Sequence, residues 1–350
     1  MTDLDFKLFC PTPMMDSDNI LMAHGGGGRL MHQLLERVIL PPIDNQHMAP
    51  RHDACVFELG NSRLAFTTDS FVVNPIFFPG GDIGKLAVCG TVNDLAMAGA
   101  RPLYLSLALI IEEGLPVATL SAVMESIRST ASSCNVQIIT GDTKVVEHGK
   151  GDGLFINTAG IGIVEHSQAI APANVVADDS LILSGDIGRH GIAIMAQREN
   201  LKFESTITSD CAPLHREIVA LLEAGIEIHC LRDLTRGGLA STLVEVSGAA
   251  NCEIEIDESL IPVSGPVRAA CELLGFDPLH VANEGRFLAI VPQKYAALTI
   301  NALRAVSPDN AAQIIGSVGN RTNSQVTMRS LVGGRRIVDM LSGEQLPRIC

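Results

Sequence analysis

Acidic and amide side chains recur where apolar segments of this sequence end. They are Asp69 in "FTTDS", Asn93 and Asp94 in "GTVNDLAMAGA", Asp142 in "TGDTK", Asp233 in "LRDLTRGG" and Glu284 in "ANEG". Half-buried carboxylates of this kind need a counterion, and hard oxygen ligands favour magnesium over softer metals. The pattern predicts a site for a polyphosphate and a metal. The alternative, which holds for one or two of these residues, is a turn former or helix cap.

The chain ends in "LPRIC", so that a thiol, Cys350, lies at the last position. The nine cysteines include no C-x-x-C pair, which argues against a zinc ribbon or a redox dithiol. The eight internal ones are interpreted as small buried hydrophobes. Prenylation is excluded because it needs the cysteine fourth from the end.

The α-carboxylate of Cys350 should keep its thiol protonated in a free tail, so we expect the thiolate to form chiefly when the tail is docked.

Two glycine-containing loops precede predicted helices. "AHGGGGR" at 23–29 offers free backbone amides that suit phosphate oxygens, and "LTRGGL" suggests a second anion contact in the other half of the chain. A lipase-type oxyanion loop is rejected because no G-x-S-x-G occurs. "GGDIGKL" is one residue short between Gly80 and Gly84 for a Walker A loop, and Leu86 stands where Ser or Thr should be. If the protein uses ATP, its fold is not the P-loop fold.

Lys144 follows Asp142 by two residues in a predicted strand. In an extended segment these two side chains point to the same face, so a cation and a carboxylate could serve one polyphosphate site. An exposed ion pair explains the same spacing equally well.

The elements that must position these residues alternate between strands and helices. Apolar spacing predicts a helix over 30–40, and a segment of small residues predicts another from about 82 to 99. Strands follow at "LYLSLALII", "VQIITGDTKV" and "LFINTAGIGIV", with a helix at "ATLSAVMESIRSTASS". The second half repeats the alternation, with strands at "SLILSGD", "IEIHCL" and "RFLAIV". Two α/β halves follow, divided near "HSQAIAPANV". We predict an extension at 1–20, domains at 21–165 and 166–340, and a flexible tail at 341–350.

Composition narrows the classes of partner. A net charge of −14 over 350 residues repels phosphate backbones and anionic lipid, which argues against nucleic acid and membrane surfaces as partners. The start, "MTDLDFKLFC", lacks the pattern of a secretory signal. The most apolar stretch, 103–111, is shorter than the roughly 18 residues typical of a membrane helix. We therefore expect a cytoplasmic protein.

Together these stretches resemble the HypE family of hydrogenase maturation factors, of the superfamily that includes aminoimidazole ribonucleotide synthetase, selenophosphate synthetase and thiamine monophosphate kinase. The resemblance rests on "AHGGGGR", "FTTDS", "NPIFFPGGDIGKLAVCGTVNDLAMAGA", "IIEEGLP", "TGDTKVV", "INTAGIG", "LRDLTRGG", "ANEG" and the terminal "PRIC". It implies a two-domain PurM-like α/β fold (α+β) with an N-terminal ATP-binding domain. It also implies a homodimer in which the first domains pair into a shared barrel.

The resemblance implies a function for the terminal thiol. A carbamoyl transferase, HypF, would load a carbamoyl group onto Cys350, and the protein would use ATP to dehydrate this thiocarbamate to a thiocyanate. The cyanide would become an iron ligand of [NiFe] hydrogenase, assembled on the HypC and HypD proteins. Such a tail would let one sulfur visit three sites in turn.

The same resemblance assigns roles to individual residues. Asp69, Asp94 and Asp142 would bind magnesium and ATP. Lys144 would contact a phosphate or the carbamoyl oxygen, and Glu284 is a candidate for proton handling beside the catalytic Cys350. The further ATP-binding candidates are Gly25, Gly26, Gly27, Lys85, Asn93 and Asp233. One departure is Arg189 in "SGDIGRHG", where many relatives are expected to carry aspartate.

Two other functions remain open at this stage. A superfamily member that activates an amide or acid on a small free substrate would not need Cys350. A metallochaperone whose tail cysteine ligates iron would bind iron without turning over ATP.

Overall fold

The computed structural model of the chain describes residues 19–48, 51–201, 206–307, 309, 311–320, 323–343 and 348–350. The predicted extension at 1–20 therefore lies almost wholly outside the described residues, as do positions 344–347 of the predicted tail. No helix among the described ranges is long and apolar enough to cross a membrane.

The first half is built on a five-stranded sheet with the order β1-β2-β7-β5-β6. Its strands are β1 Cys55–Leu59, β2 Ser62–Phe71, β5 Arg101–Glu112, β6 Gln137–Val146 and β7 Leu154–Val164, and the short strands β3 Phe77–Phe78 and β4 Gly81–Asp82 form a separate ribbon. The pair β5–β6 is parallel. This is the pair whose connection crosses over through a helix, as parallel strands require.

Two long helices cover one face of this sheet. A short helix, α1 Arg29–Leu34, comes first in the chain, and α2 Ile83–Met97 and α3 Val117–Ser133 are the covering pair. α2 begins where the side chain of Asp82 accepts hydrogen bonds from two backbone N–H groups of the first turn, at 2.8 and 3.1 Å. It lies close against the sheet because Gly90 leaves room for the ring of Phe71; an added Cβ would come within 2.8 Å of that ring.

The other face of the first sheet carries no covering element among the described residues. Its side chains include Phe66, Tyr104 and Ile110, which are 47%, 41% and 44% exposed. Phe66 pairs with Ile161 of β7, which in turn pairs with Tyr104 of β5, so these three side chains form one row across the sheet. We call this surface the open face.

The second half is built on a seven-stranded sheet with the order β14-β13-β10-β12-β8-β11-β9. The strands are β8 Asp179–Leu183, β9 Cys230–Asp233, β10 Glu253–Asp257, β11 Phe287–Pro292, β12 Gln313–Val318, β13 Gln325–Arg329 and β14 Arg335–Val338; the helices are α4 Arg189–Arg198, α5 His215–Glu223, α6 Gly238–Ala250, α7 Gly265–Leu274 and α8 Ala296–Val306. This sheet is covered on both faces, because Leu181 and Leu183 of β8 pack in a cluster with α6 while Ile182 packs with α5 and α8.

The two α/β halves agree with the predicted fold class, and most predicted elements are confirmed. The strand "LFINTAGIGIV" coincides with β7, and the helix near 82–99 is α2. The predicted strand "IEIHCL" is wrong in position, because β9 starts only at Cys230. The sequence analysis did not predict α8 or strands β10 and β12–β14.

The end of the chain is docked, which differs from the flexible tail predicted for 341–350. Ile349 is 5% exposed and belongs to a core cluster with side chains from both halves, including Ile83 of α2 and Ile192 of α4. Burial of an isoleucine side chain contributes about 1.5–3 kcal/mol. Apolar burial thus supplies a reason for the tail end to stay between the two halves.

Candidate active site

Four aspartates from separate elements meet at the boundary between the two halves. They are Asp53 before β1, Asp69 on β2, Asp94 on α2 and Asp233 at the end of β9. Burial raises the pKa of Asp233 to about 8, and repulsion from Asp53 adds to the effect. Burial likewise raises the pKa of Asp53 to about 6 and, with repulsion from Asp233 and Asp69, raises that of Asp94 well above its ordinary value. We call these four residues the acidic cluster.

Two arginines partly balance this charge. Arg232 is held between Asp53, with an Nε–Oδ1 distance of 2.8 Å, and Glu245, with an Nη2–Oε2 distance of 2.5 Å. Arg236 lies in the turn before α6. The negative charges of the Cys350 thiolate and of Asp69 raise the pKa of its guanidinium group. Because Arg232 already serves Glu245 as well, the acidic cluster keeps an excess of negative charge.

The acidic cluster fits a hard divalent cation by its chemistry. Its donors are carboxylate oxygens, which magnesium prefers. Oδ2 of Asp53 is buried without a hydrogen-bond partner, so its bonding capacity is unused. Within the described ranges, no three His, Cys, Asp or Glu side chains converge closely enough to hold a metal as they stand. A bound cation would therefore draw carboxylates of the cluster together.

Asp142 and Lys144 do not join the acidic cluster within one chain. Asp142 on β6 lies in the same cross-strand row as Ser70 on β2. Because β6 is three strands away from β2, the two residues are about 14 Å apart at 4.8 Å per strand. It also lies on the open face, whereas Asp69 lies on the face that packs against α2. Its exposed carboxylate is 2.7 Å from Nζ of Lys144. The expectation that Asp142 binds a metal together with Asp69 is therefore corrected for a single chain, where the pair is an exposed ion pair.

Asn93 and Lys85 also point away from the acidic cluster. The amide of Asn93 donates to the backbone oxygens of Ala212 and Glu284, at 3.1 and 3.3 Å, and accepts from the N–H of Leu214 at 2.8 Å. These bonds join α2 to the second half and leave little capacity for a nucleotide. Nζ of Lys85 donates to the backbone oxygen of Gly80 at 2.9 Å. Contacts of Asn93 and Lys85 with ATP remain predictions that this geometry does not favour.

The predicted glycine loop packs against the turn that carries Arg236. Gly27 has φ +71°, and an added Cβ would lie 2.6 Å from the backbone of Arg236. Its carbonyl oxygen accepts a hydrogen bond from Oγ of Ser241 in α6 at 3.0 Å. Gly25 and Gly26 line a small cavity beside this contact. The loop thus has a steric role in joining the two halves, and its binding of phosphate stays a prediction.

Cys350 is half-buried in that same cavity, together with Arg236 and Val72. The cavity volume is about 50 Å³. A single water needs about 10–15 Å³ of such volume, so the remaining space holds a few waters or a small substituent on the sulfur. Burial raises the pKa of the thiol to about 12, although Arg236 lowers it. The expectation that docking favours the thiolate is wrong, because desolvation outweighs the attraction of the nearby cation.

Glu284 lies on the loop before β11 and is buried near Cys350. Its Oε1 atom has no hydrogen-bond partner, and burial raises its pKa well above the ordinary value, with further contributions from Cys211 and Asp233. Asp210 holds this loop in place, because its Oδ2 atom accepts hydrogen bonds from the N–H groups of Glu284 and Gly285 at 3.2 and 3.0 Å. A protonated carboxyl group is therefore positioned where the predicted proton handling would take place.

Three residues of the site were missed by the sequence analysis. Asp53 lies two residues before β1, whereas the sequence analysis considered acids at the ends of apolar segments. Arg236 lies within the quoted "LTRGG", where only the glycines and Asp233 were considered. His190, on α4, donates from Nε2 to the backbone oxygen of Ile349 at 2.6 Å. No local pattern marks a histidine that contacts a residue 159 positions away.

Comparison with known proteins agrees with this architecture. The family model described as AIR synthase related protein, N-terminal domain, matches residues 51–164, and the model of the corresponding C-terminal domain matches residues 176–329. A protein of Azotobacter vinelandii named carbamoyl dehydratase HypE is 49% identical over 332 residues, which cover 95% of this chain and 97% of the relative.

Two solved structures are similar over most of their length. A structure described as hydrogenase maturation protein HypE in complex with ATP is 44% identical, with a TM-score of 0.80, and the match covers 95% of this chain and 100% of that one. A HypE–HypF complex contains a chain that is 44% identical, with a TM-score of 0.84 and coverage of 88% and 99%.

The two halves of the chain are the two domains of an AIR synthase related protein. Within that superfamily the chain belongs to the HypE family, and the family predicted from the sequence is thereby confirmed.

The raised pKa of the docked thiol predicts slow alkylation of Cys350. A shift from 9.0 to about 12 lowers the thiolate fraction near neutral pH about a thousandfold, and only the thiolate reacts. We expect iodoacetamide to modify Cys350 at least about tenfold faster when Ile349→Asp releases the tail. The wild-type rate should still rise between about pH 9 and pH 11, whereas the rate of the released thiol should level off above its ordinary pKa of 9.0.

Peptide mapping by mass spectrometry would follow Cys350, with the half-buried Cys55 as the internal control. Equal rates for Cys350 in both proteins, with an unchanged rate at Cys55, would contradict a buried, protonated thiol.

Proposed function

We propose that this protein is an ATP-dependent carbamoyl dehydratase of [NiFe] hydrogenase maturation, acting on a carbamoyl group attached to its own Cys350. The product is an S-cyanate, or thiocyanate, that supplies cyanide for the active-site iron. The observation that carries the proposal is the position of the terminal sulfur, which is docked beside Arg236, Glu284 and the acidic cluster. A solved relative that is named for its complex with ATP supports the choice of nucleotide.

The chemistry needs an activated oxygen and the loss of two protons from nitrogen. The oxygen of a carbamoyl group is a poor leaving group, so transfer of the γ-phosphoryl group of ATP converts it to a phosphate ester and releases ADP. Loss of phosphate and of both nitrogen protons then leaves the C≡N group on sulfur. Arg236 lines the cavity of the sulfur and would offset negative charge on the departing oxygen. Glu284 would accept a nitrogen proton in its ionised form, and the other proton would leave with the phosphate.

Magnesium would be held by the acidic cluster rather than by the predicted set of Asp69, Asp94 and Asp142. Asp69, Asp94 and Asp233 would supply oxygens to the ion, and so would the unpartnered Oδ2 of Asp53. Bound there, the ion would neutralise phosphate charge during transfer. Arg232 keeps Asp53 in place through its ion pair.

The proposed partners follow from the chemistry of the tail. A carbamoyl transferase must load the sulfur, and the solved HypE–HypF complex of a relative supports HypF in that role. An iron scaffold of HypC and HypD would accept the cyanide. The eight described cysteines are free thiols, which suits the reducing cytoplasm.

We also propose a homodimer formed through the open face. The row of Phe66 and Tyr104 is an apolar surface without a partner among the described residues, and sheets bury such faces against another layer. Asp142 and Lys144 lie on this same face. If they contact ATP or the carbamoyl oxygen, as the sequence predicts, they do so at the site of the second protomer, because they cannot reach their own acidic cluster.

A synthetase for a small free substrate is less well supported. Such an enzyme would not need Cys350, and it would leave the docking of the terminal thiol beside Arg236 and Glu284 without a purpose. A metallochaperone is disfavoured because no second cysteine lines the cavity of Cys350 among the described residues, whereas iron–sulfur ligation uses several thiolates.

Intact mass measures the proposed reaction directly. With active carbamoyl transferase, carbamoyl phosphate and ATP, the wild type should gain one carbamoyl group and then lose one water. Cys350→Ala should gain nothing, whereas the matched control Cys55→Ala should behave as wild type. A non-hydrolysable ATP analogue should stop the reaction at the carbamoyl stage. An adduct that forms equally on Cys350→Ala would contradict the proposal.

Glu284→Gln tests the proton-handling role in the same assay. The carbamoyl adduct should form normally, and its dehydration should slow by about 10²–10⁴, the usual contribution of general acid–base catalysis. Dehydration at the wild-type rate would remove Glu284 from the mechanism.

Magnesium should stabilise the protein through the acidic cluster. At a hundred times its dissociation constant, a bound ion contributes about 2.7 kcal/mol, which raises the melting temperature by several degrees. Asp233→Asn should melt higher than wild type without metal, because repulsion falls, and should gain less from magnesium. Asp44→Asn, an exposed surface change, is the control. An undiminished magnesium response in Asp233→Asn would rule out this site.

The homodimer can be tested by placing a charge on the open face. Light scattering of the wild type should give the mass of a dimer, and Phe66→Glu should give that of a monomer. Leu273→Glu, on the exposed surface of α7, should stay dimeric. A dimeric Phe66→Glu protein would place the interface elsewhere.

A further inference from the structure

The last three residues of the chain are held mainly through their backbone. The N–H of Val72 donates to the oxygen of Cys350 at 3.1 Å, and that of Asn74 donates to the oxygen of Arg348 at 3.3 Å. The tail therefore pairs with the segment after β2 through two main-chain hydrogen bonds. Such main-chain pairing gives affinity without regard to side chains.

Two side chains of α4 complete this recognition from the second half. Arg198 donates through Nη2 to the oxygen of Arg348 and to that of Asn74, both at 2.7 Å, and so bridges the two paired segments. His190 donates from Nε2 to the oxygen of Ile349. A carbonyl only accepts, so this tautomer is fixed, and Nδ1 accepts from Oγ of Ser209 at 2.8 Å.

Side-chain contacts add selectivity at two positions. Ile349 is buried in the core shared by the two halves. Arg348 forms an ion pair with Asp152 and has φ +51°, an uncommon value for a residue other than glycine. Such a conformation persists where the surroundings determine it, and here four hydrogen bonds to backbone oxygens of residues 348–350 and one ion pair do so.

We propose that this groove is a binding site for a C-terminal Arg-Ile-Cys peptide and that it accepts the peptide in trans, from a second copy of the chain or as a free peptide. The contacts described above reach only residues 348–350 and come from groups outside the tail. None of them depends on a covalent link between tail and groove. That the bound peptide is a substrate when S-carbamoylated rests on the proposed function. Arg198 and His190 then contribute to the affinity for the peptide through its backbone oxygens.

Binding can be measured without any chemistry. The probe is fluorescein-labelled Leu-Pro-Arg-Ile-Cys with a free carboxylate, followed by fluorescence anisotropy. The receptor is full-length protein carrying Ile349→Asp, whose own tail leaves the groove because a carboxylate is costly to bury. We expect saturable binding to this variant and at least about tenfold weaker binding to wild type, whose tethered tail competes at an effective concentration near mM.

The contributions of α4 are tested in the same released background. Arg198→Ala and His190→Leu should each weaken the peptide by about tenfold, the loss of about 1.4 kcal/mol. Arg128→Ala, which removes an exposed ion pair on α3, should not change it. Arg348→Glu is a second variant designed to release the tail, because it places a negative charge opposite Asp152. It controls for any effect on binding that is specific to Ile349→Asp. Absence of binding to both folded releasing variants would overturn the proposal, as would full affinity in both α4 variants.

Turnover in trans separates this inference from the proposed function. Ile349→Asp combined with Cys350→Ala would be given S-carbamoyl peptide, ATP and magnesium, and the peptide should lose one water. Arg198→Ala should raise the KM for the peptide about tenfold and leave kcat within about twofold at saturation, the signature of lost ground-state binding. If the wild type dehydrates its own tail but bound peptide stays intact, substrate use in trans is wrong and the proposed function stands. If neither loses water, the proposed function is wrong, and the anisotropy measurements alone then decide whether the groove binds the peptide in trans.

Discussion

The site depends on the burial of like charges at the boundary between two sheets. Four aspartates and Glu284 meet there, and the arginines beside them are shared with other acids. Carboxylates held this close repel one another and lose hydration, so their pKa values rise. This arrangement lowers the stability of the fold, and a divalent cation or a shared proton would reduce the repulsion between the carboxylates. The strain is tolerated because four different elements, each fixed by its own core contacts, hold the carboxylates in place.

The docked tail adds the reacting atom to this charged boundary. Desolvation keeps the thiol of Cys350 protonated while it is docked, which makes it a poor nucleophile in that position. An S-carbamoyl group has no thiol proton to lose, so the desolvation that suppresses the free thiol does not act on the loaded one. Loading and dehydration therefore suit different places. The thiol is better activated away from the groove, and the carbamoyl group is better accommodated inside it.

Close backbone contacts keep the two halves in register around the sulfur. Gly27 and Gly237 touch, since an added Cβ on Gly237 would lie 2.8 Å from the oxygen of Gly27. Asn93 ties α2 to the loop that carries Glu284. Glu284, Arg236 and the sulfur of Cys350 thus belong to one packed unit, although the contacts that hold them come from both halves of the chain.

Local sequence determined much of this protein. Strand β7 was predicted at "LFINTAGIGIV" and helix α2 from a segment of small residues that starts near Asp82. The family follows from short motifs such as "LRDLTRGG" and the terminal "PRIC". The sequence also indicated Asp69, Asp94, Asp233 and Glu284, because each lies where a strand or helix begins or ends.

Tertiary structure decided which of those residues act together. Asp142 satisfied the same local rule as Asp69, yet strand order places it three strands away and on the opposite face. The effect of docking on Cys350 depended on the balance between desolvation and Arg236, which no spacing encodes. Asp53, Arg236 and His190 joined the site through contacts between segments far apart in the chain. Local patterns report the backbone conformation of a few neighbouring residues, whereas burial, charge balance and proximity arise only when distant segments pack.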